Sequence, residues 1–87
     1  MYVYIIECED SSFYTGIAKD LKKRLVNHGN GSRYTRAKKP VKLVYVELPE
    51  NAYKREPQIK KLSRKKKEAL INSDFNIVEQ FIDLEVS

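Results

Sequence analysis

The sequence has little cysteine, histidine, glycine or proline: one Cys, one His, three Gly and three Pro in 87 residues. A lone Cys8 cannot close an internal disulfide, and one Cys with one His cannot build a Cys/His zinc site. A disulfide-stapled secreted scaffold is thereby excluded, and a reducing compartment, the cytoplasm, is expected. No apolar run nears the roughly 20 residues of a membrane helix; Val3-Tyr4-Ile5-Ile6 stops at Glu7. No basic region precedes an apolar stretch at the N-terminus, so neither a signal peptide nor a membrane partner is expected. With 41% hydrophobic and 33% charged residues, disordered, collagen-like and low-complexity classes are also excluded. The length predicts one domain over residues 1–87, with a thin core that buries about 60–65% of the unfolded surface.

Acidic residues are scarce where basic ones are dense. All 17 Lys and Arg fall in residues 1–67, against seven acids, whereas residues 68–87 carry five acids and no Lys or Arg. The basic part implies a polyanionic partner, and DNA or another nucleic acid is the expectation. The plainer reading is that these charges keep a small protein soluble.

The chain is rich in strand formers at its start. Residues 2–8 and 13–17 read as strands joined by the turn Glu9-Asp10-Ser11-Ser12, hence a hairpin. Asp20 is a good N-cap for a helix from Leu21 to His28, stopped by Gly29 and Gly31. A basic loop over residues 30–40 leads to a third strand, Val41 to Glu47. Residues 52–71 carry helical periodicity through Ala52, Ile59, Leu62, Ala69 and Leu70, with Asn51 as candidate cap. Pro57 should kink that helix or mark its true start. Phe75, Ile77, Val78, Phe81 and Ile82 suggest a last short helix, and residues 72–87 are expected to pack on the domain as an extension through Phe75, Val78 and Phe81. The order β-β-α-β-α-α predicts an α+β fold, an antiparallel or mixed sheet with helices on its faces.

Five polar side chains stand out: Tyr4, Tyr14, Arg24, His28 and Glu56. Tyr4 and Tyr14 share a sheet face only if the hairpin loop has an odd number of residues; otherwise they are ordinary strand aromatics. Arg24 and His28 lie four apart on one helix. His28 falls within about 20° of Leu21, with Arg24 at the edge of the same stripe. A snorkelling Arg and a boundary His are the bland alternative. Glu56 flanks the apolar stripe of its helix and is the only acid between Glu50 and Glu68. A carboxylate near a core needs a partner: an Arg or Lys, or a divalent cation, which favours oxygen ligands.

These residues, in this spacing, resemble the GIY-YIG nuclease superfamily, most closely its short stand-alone bacterial members. Its first motif reads here as Tyr2-Val3-Tyr4 and its second as Tyr14-Thr15-Gly16. The similarity continues through Asp20-Leu21, Arg24, His28, Tyr34-Thr35-Arg36, Pro40-Val41, Leu43-Val44-Tyr45, Arg55-Glu56 and Ile59-Lys60 to Leu70-Ile71. The resemblance implies a three-stranded antiparallel sheet flanked by helices, and metal-dependent cleavage of DNA phosphodiesters. It implies that Glu56 holds one Mg²⁺ or Mn²⁺ ion and that Arg24 contacts the scissile phosphate. Tyr4 would be the general base or the group that positions the attacking water, Tyr14 would hydrogen-bond in the same cluster, and His28 would assist the tyrosine or relay the proton. Three departures stand beside it. Tyr2 replaces the namesake Gly. Glu68 and Asn72 follow Glu56 where many members carry a downstream Asn. Pro57 directly follows Glu56 and disfavours helical backbone there.

Two further segments are candidate nucleic-acid contacts. The loop over residues 33–39 offers Arg33, Tyr34, Arg36, Lys38 and Lys39, where the cations neutralise phosphates and Tyr34 stacks on an unpaired base. Residues 54–67 carry eight more cations, including Lys60 and Arg64. Neither segment holds a base-reading motif, so recognition of shape or backbone is expected. The leading expectation is a metal-dependent DNA endonuclease, structure-specific and linked to repair or recombination. The alternatives are a nucleic-acid-binding module without catalysis, or a nuclease subunit completed by a protein partner or a second copy.

Overall fold

A computed structural model describes residues 1–24 and 40–81. The expected helix beyond Arg24, including His28, and the basic loop with Arg33, Tyr34, Arg36, Lys38 and Lys39 lie outside the described residues. Three strands, β1 (Tyr2–Cys8), β2 (Phe13–Ala18) and β3 (Pro40–Glu47), form an antiparallel sheet in the order β2-β1-β3. The α+β expectation holds. Among the described residues no helix is long and apolar enough to cross a membrane.

The unbroken run Val3-Tyr4-Ile5-Ile6 is explained by the central place of β1, since each of these residues is at most 1% exposed. Side chains alternate along a strand, so β1 feeds two cores. One face holds Tyr4, Ile6, Ala18, Leu21, Leu43 and Val46, and the other holds Val3, Ile5, Tyr45, Ala52 and Ile59. Strict alternation would place Leu43 and Tyr45 on one face. A bulge opposite Ile5 and Ile6 separates them: Ile5 pairs with Tyr45 and Ile6 with Leu43, leaving Val44 as the extra residue.

The hairpin loop is odd. Ser11 N donates to Cys8 O and Cys8 N to Ser12 O, both at 2.8 Å, which closes three residues, Glu9 to Ser11. Ser11 takes the left-handed conformation at φ 69°, the geometry of a three-residue hairpin loop. Asp10 Oδ1 accepts from Ser12 N at 3.0 Å and from its hydroxyl at 2.5 Å, which fixes the turn. The resulting register, Tyr4 opposite Gly16 and Ile6 opposite Tyr14, places Tyr4 and Tyr14 on the same face.

Residues 21–24 form a helical turn capped by Asp20, whose Oδ1 accepts from Lys23 N at 3.1 Å. The helix expected over residues 52–71 is instead two helices, α1 (Ala52–Lys60) and α2 (Arg64–Ile71). Asn51 caps α1, so Pro57 lies inside that helix and does not mark its start. The missing Pro57 amide removes one backbone bond, and α1 ends three residues later. Ser63 then starts α2 by accepting from Lys66 N at 3.3 Å; this cap is what divides the two helices. The last short helix is a 3₁₀ turn, Val78–Phe81. Ile77, Val78 and Phe81 pack on the Tyr4 face, whereas Phe75, expected to pack, is 75% exposed.

Candidate active site

Tyr4 is at the centre of the site because of Gly16. The Tyr4 ring crosses from the central strand over its partner on the edge strand. A Cβ at Gly16 would lie 2.6 Å from the Tyr4 hydroxyl and 2.7 Å from Cζ. Only a residue without a side chain leaves room for that path. Tyr14 closes the other side, with the two ring centroids 6.5 Å apart and tilted by 43°. The spacing of Gly16 from Tyr14 is the signal visible in the sequence, and the hairpin register supplies its meaning.

Glu56 reaches this place from the opposite layer. Helix α1 packs Ala52 and Ile59 against Val3, Ile5 and Tyr45 and touches both β1 and β2. At 100° per residue, Arg55 and Glu56 flank that buried stripe on opposite sides. Arg55 Nε donates to both Glu47 carboxylate oxygens, at 3.0 and 3.1 Å, and the Tyr45 hydroxyl donates to Glu47 Oε1 at 2.7 Å. This anchors one flank of α1 to β3. The other flank, with Glu56, lies on the side of α1 toward β2. The Glu47–Arg55 clamp was not anticipated; only the i, i+2 placement of Tyr45 and Glu47 hinted at it. The Glu56 side chain is 24% exposed and pairs with Lys60 Nζ at 3.6 Å. Pro57 does not turn it away, because α1 runs through both residues.

Several charged groups act on the Tyr4 phenol. Burial pushes its phenol well above the usual value, and Tyr14 and Glu56 add to the rise, while Arg24 opposes it. Tyr14, Arg24 and Glu56 thus all act on one hydroxyl. Arg24 is exposed on the helical turn, its amide donating to Asp20 O at 3.1 Å. Of the five residues singled out, Tyr4 and Tyr14 share a face with their rings 6.5 Å apart, and Arg24 and Glu56 act on the Tyr4 hydroxyl electrostatically; His28 lies outside the described residues.

A single half-buried carboxylate is the oxygen donor at this site, and among the described residues no cluster of three His, Cys, Asp or Glu exists. That donor set fits Mg²⁺ or Mn²⁺ held by one carboxylate, water and substrate phosphate, and does not fit zinc. The other described candidates are placed differently. Lys60 is the Glu56 partner. Arg64 stacks 4.3 Å over the Phe13 ring, donates to Ser11 O and pairs with Glu68 at 3.2 Å, so it ties α2 to the hairpin. Asn72 caps α2, its Nδ2 donating to Glu68 O at 3.0 Å.

The described geometry, two tyrosines over a glycine facing an arginine and a helical glutamate, agrees with comparison to known proteins. The family model described as the GIY-YIG catalytic domain matches residues 1–69. The chain belongs to the GIY-YIG family. It is 49% identical over 76 residues to the UPF0213 protein SSP2268 of Staphylococcus saprophyticus, covering 82% of this chain and 93% of that one. It is 47% identical over 91 residues to the UPF0213 protein CPE1444 of Clostridium perfringens, covering 99% and 97%. The solution NMR structure of the UPF0213 protein BH0048 from Bacillus halodurans is similar with a TM-score of 0.56 at 38% identity, covering 99% and 97%. These relatives are GIY-YIG-sized chains of similar length, and membership places this chain in a nuclease superfamily.

Proposed function

We propose that this GIY-YIG chain is a divalent-metal-dependent DNA endonuclease acting on branched or otherwise distorted DNA, as in repair or recombination. What supports the reading is the Tyr4 hydroxyl seated over Gly16 beside Tyr14, with Arg24 and Glu56 both acting on it electrostatically. Glu56 would hold Mg²⁺ or Mn²⁺, which when bound neutralises phosphate charge. Arg24 would donate to the scissile phosphate and offset the extra negative charge of the five-coordinate transition state without reorganising. Water oxygen attacks phosphorus, the phosphodiester P–O bond breaks, and the departing sugar oxygen takes up a proton.

Tyr4 is neutral at pH 7, as an ordinary phenol is, and burial makes its proton harder still to remove. In that state it accepts from and donates to the attacking water and so positions it. It serves as a base only when added positive charge lowers its proton affinity. Tyr14 holds the Tyr4 ring in place, and His28, four residues after Arg24, is the proton relay. Lys60 must release Glu56 when a cation binds, and Lys60 with the cations of residues 33–39 would then be available to backbone phosphates.

The test is cleavage of branched, nicked and duplex DNA with and without Mg²⁺ or Mn²⁺. Cutting should need the metal and vanish in Glu56→Ala while DNA binding persists. The Lys60–Glu56 pair favours one other reading, a binding module without chemistry: metal-independent binding with no cutting by the wild type supports it. Cutting that appears only after a second protein is added identifies a subunit.

A further inference from the structure

Beside the Tyr4 site lies a groove of about 500 Å³ that none of the roles above uses, bordered by Tyr2, Lys19, Asp20, Lys22, Gln80 and Phe81. This volume is in the range of small-ligand sites. Its floor is aromatic. The Tyr2 and Phe81 rings meet edge to face, with centroids 5.3 Å apart and planes at 81°, and both half-buried rings line the groove. Its rim is basic and polar. Lys19 and Lys22 are exposed, and Gln80 is an exposed amide with two donors and an acceptor. Asp20, the acid among the described lining residues, already accepts from the Lys23 amide, which ties its carboxylate to the helical turn.

We infer that this groove binds one unpaired nucleotide of a DNA strand, the base stacking on the Tyr2–Phe81 pair, its edge reading Gln80, and the neighbouring phosphates lying on Lys19 and Lys22. A ring face, an amide and two ammonium groups are the three chemistries that a nucleotide presents partners for. A base inside a duplex offers no face to stack on, so the occupant is single-stranded. Tyr2 and Tyr4 point to the same face of β1, roughly 7 Å apart along the strand, and Arg24 is on the same helical turn as Lys22. With Tyr2 one repeat from Tyr4 on the same strand face, we place the flanking nucleotide in the groove when the scissile phosphate is at the Tyr4 site. The inference rests on the nuclease reading and sharpens it: the substrate carries unpaired bases next to the cut, as in a flap, bubble or bulge.

Binding in EDTA separates the groove from the chemistry. Fluorescence anisotropy of the full chain with labelled (dT)₁₀ and with a ten-base-pair duplex should show tighter binding of the single strand. Lys19→Gln with Lys22→Gln, both exposed, should weaken single-strand binding about tenfold and lower its salt slope by about 1.4. Phe81→Leu, which keeps apolar packing but no ring, should reduce the single-strand preference about tenfold; a melting curve matching wild type shows the fold intact. Equal affinity for the two probes, or a double lysine variant that binds (dT)₁₀ like wild type, overturns the groove. Either result leaves metal-dependent cutting lost in Glu56→Ala untouched, so the two readings fail separately.

Discussion

The Tyr4 hydroxyl lies where a side chain at Gly16 would begin, 2.6 Å from the ideal Cβ position. That close approach couples the two GIY-YIG motifs physically: the second supplies the absence that the first needs. Gly16→Ala should therefore cost roughly 1–3 kcal/mol, the range for overpacking. The clash is with the Tyr4 ring, so the same change in a Tyr4→Ala background should cost distinctly less. Denaturant unfolding of the four members of this cycle measures the coupling. Additive losses would mean that Gly16 is needed for its backbone and not for the tyrosine.

Arg24 is exposed, so its removal should leave the fold alone and act on chemistry. Arg24→Ala should melt as wild type does and lower cleavage by roughly 10²–10³, the size of losing one transition-state donor. Arg24→Lys keeps the charge without the guanidinium fork and should recover only part of the rate. Single-turnover cleavage with the melting curve of each variant decides the matter. Full activity in Arg24→Ala would remove it from the site.

The sheet was legible because its strands are dense in aromatic and β-branched residues, and because the β1 run is too apolar for anything but a strand covered on both sides. The convergence of Tyr4 and Tyr14 followed from loop parity, which the left-handed Ser11 turn satisfies. Other features depend on tertiary partners that a linear reading does not contain. The bulge at Val44 sends Leu43 and Tyr45 to opposite cores. Ser63 divides a continuous helical period by capping α2. Arg64 resembled a phosphate ligand in sequence, yet it finds Phe13 and the hairpin turn. The flank of α1 that Glu56 occupies is set by Arg55 gripping Glu47, eight residues earlier on another element.

Two buried phenols should make the fold sensitive to alkali. Burial is the main cause that raises both Tyr4 and Tyr45 above the ordinary value of 10.0; for Tyr45 the bond to Glu47 adds to it. In the unfolded chain both lose protons near pH 10, while the folded chain keeps them. Above that pH the unfolded state binds fewer protons, so stability is intact below pH 10 and falls as pH rises. Each phenol contributes up to about 1.4 kcal/mol per pH unit to the fall. Urea unfolding between pH 8 and 11.5 should show the decline, and Tyr45→Phe should make it shallower. An unchanged slope in Tyr45→Phe would place that phenol's titration elsewhere.

Asn76 should prove the most sensitive polar residue of the C-terminal segment. Its Oδ1 accepts from Val46 N at 3.1 Å and Val78 N at 3.0 Å, and its Nδ2 donates to Val44 O at 2.9 Å and Ile71 O at 2.8 Å. Both amide donors and both acceptor positions are used. With Ile77 N donating to Val46 O at 2.9 Å, the segment occupies the outer rim of β3, an edge strand of the sheet among the described residues. Asn76→Ala strips partners from half-buried backbone groups and should cost roughly 2–4 kcal/mol, several times a single net hydrogen bond. Asn76→Asp keeps the acceptors but turns a carboxylate oxygen toward the carbonyls of Val44 and Ile71, so it should be no better than Ala despite its shape. Amide exchange at Val46 should quicken in both variants, because its proton loses its acceptor or the segment that shields it. Near-native stability of Asn76→Asp would show that the two donor bonds contribute little, and the β3 edge would then be held by Ile77, Val78 and Phe81 packing alone.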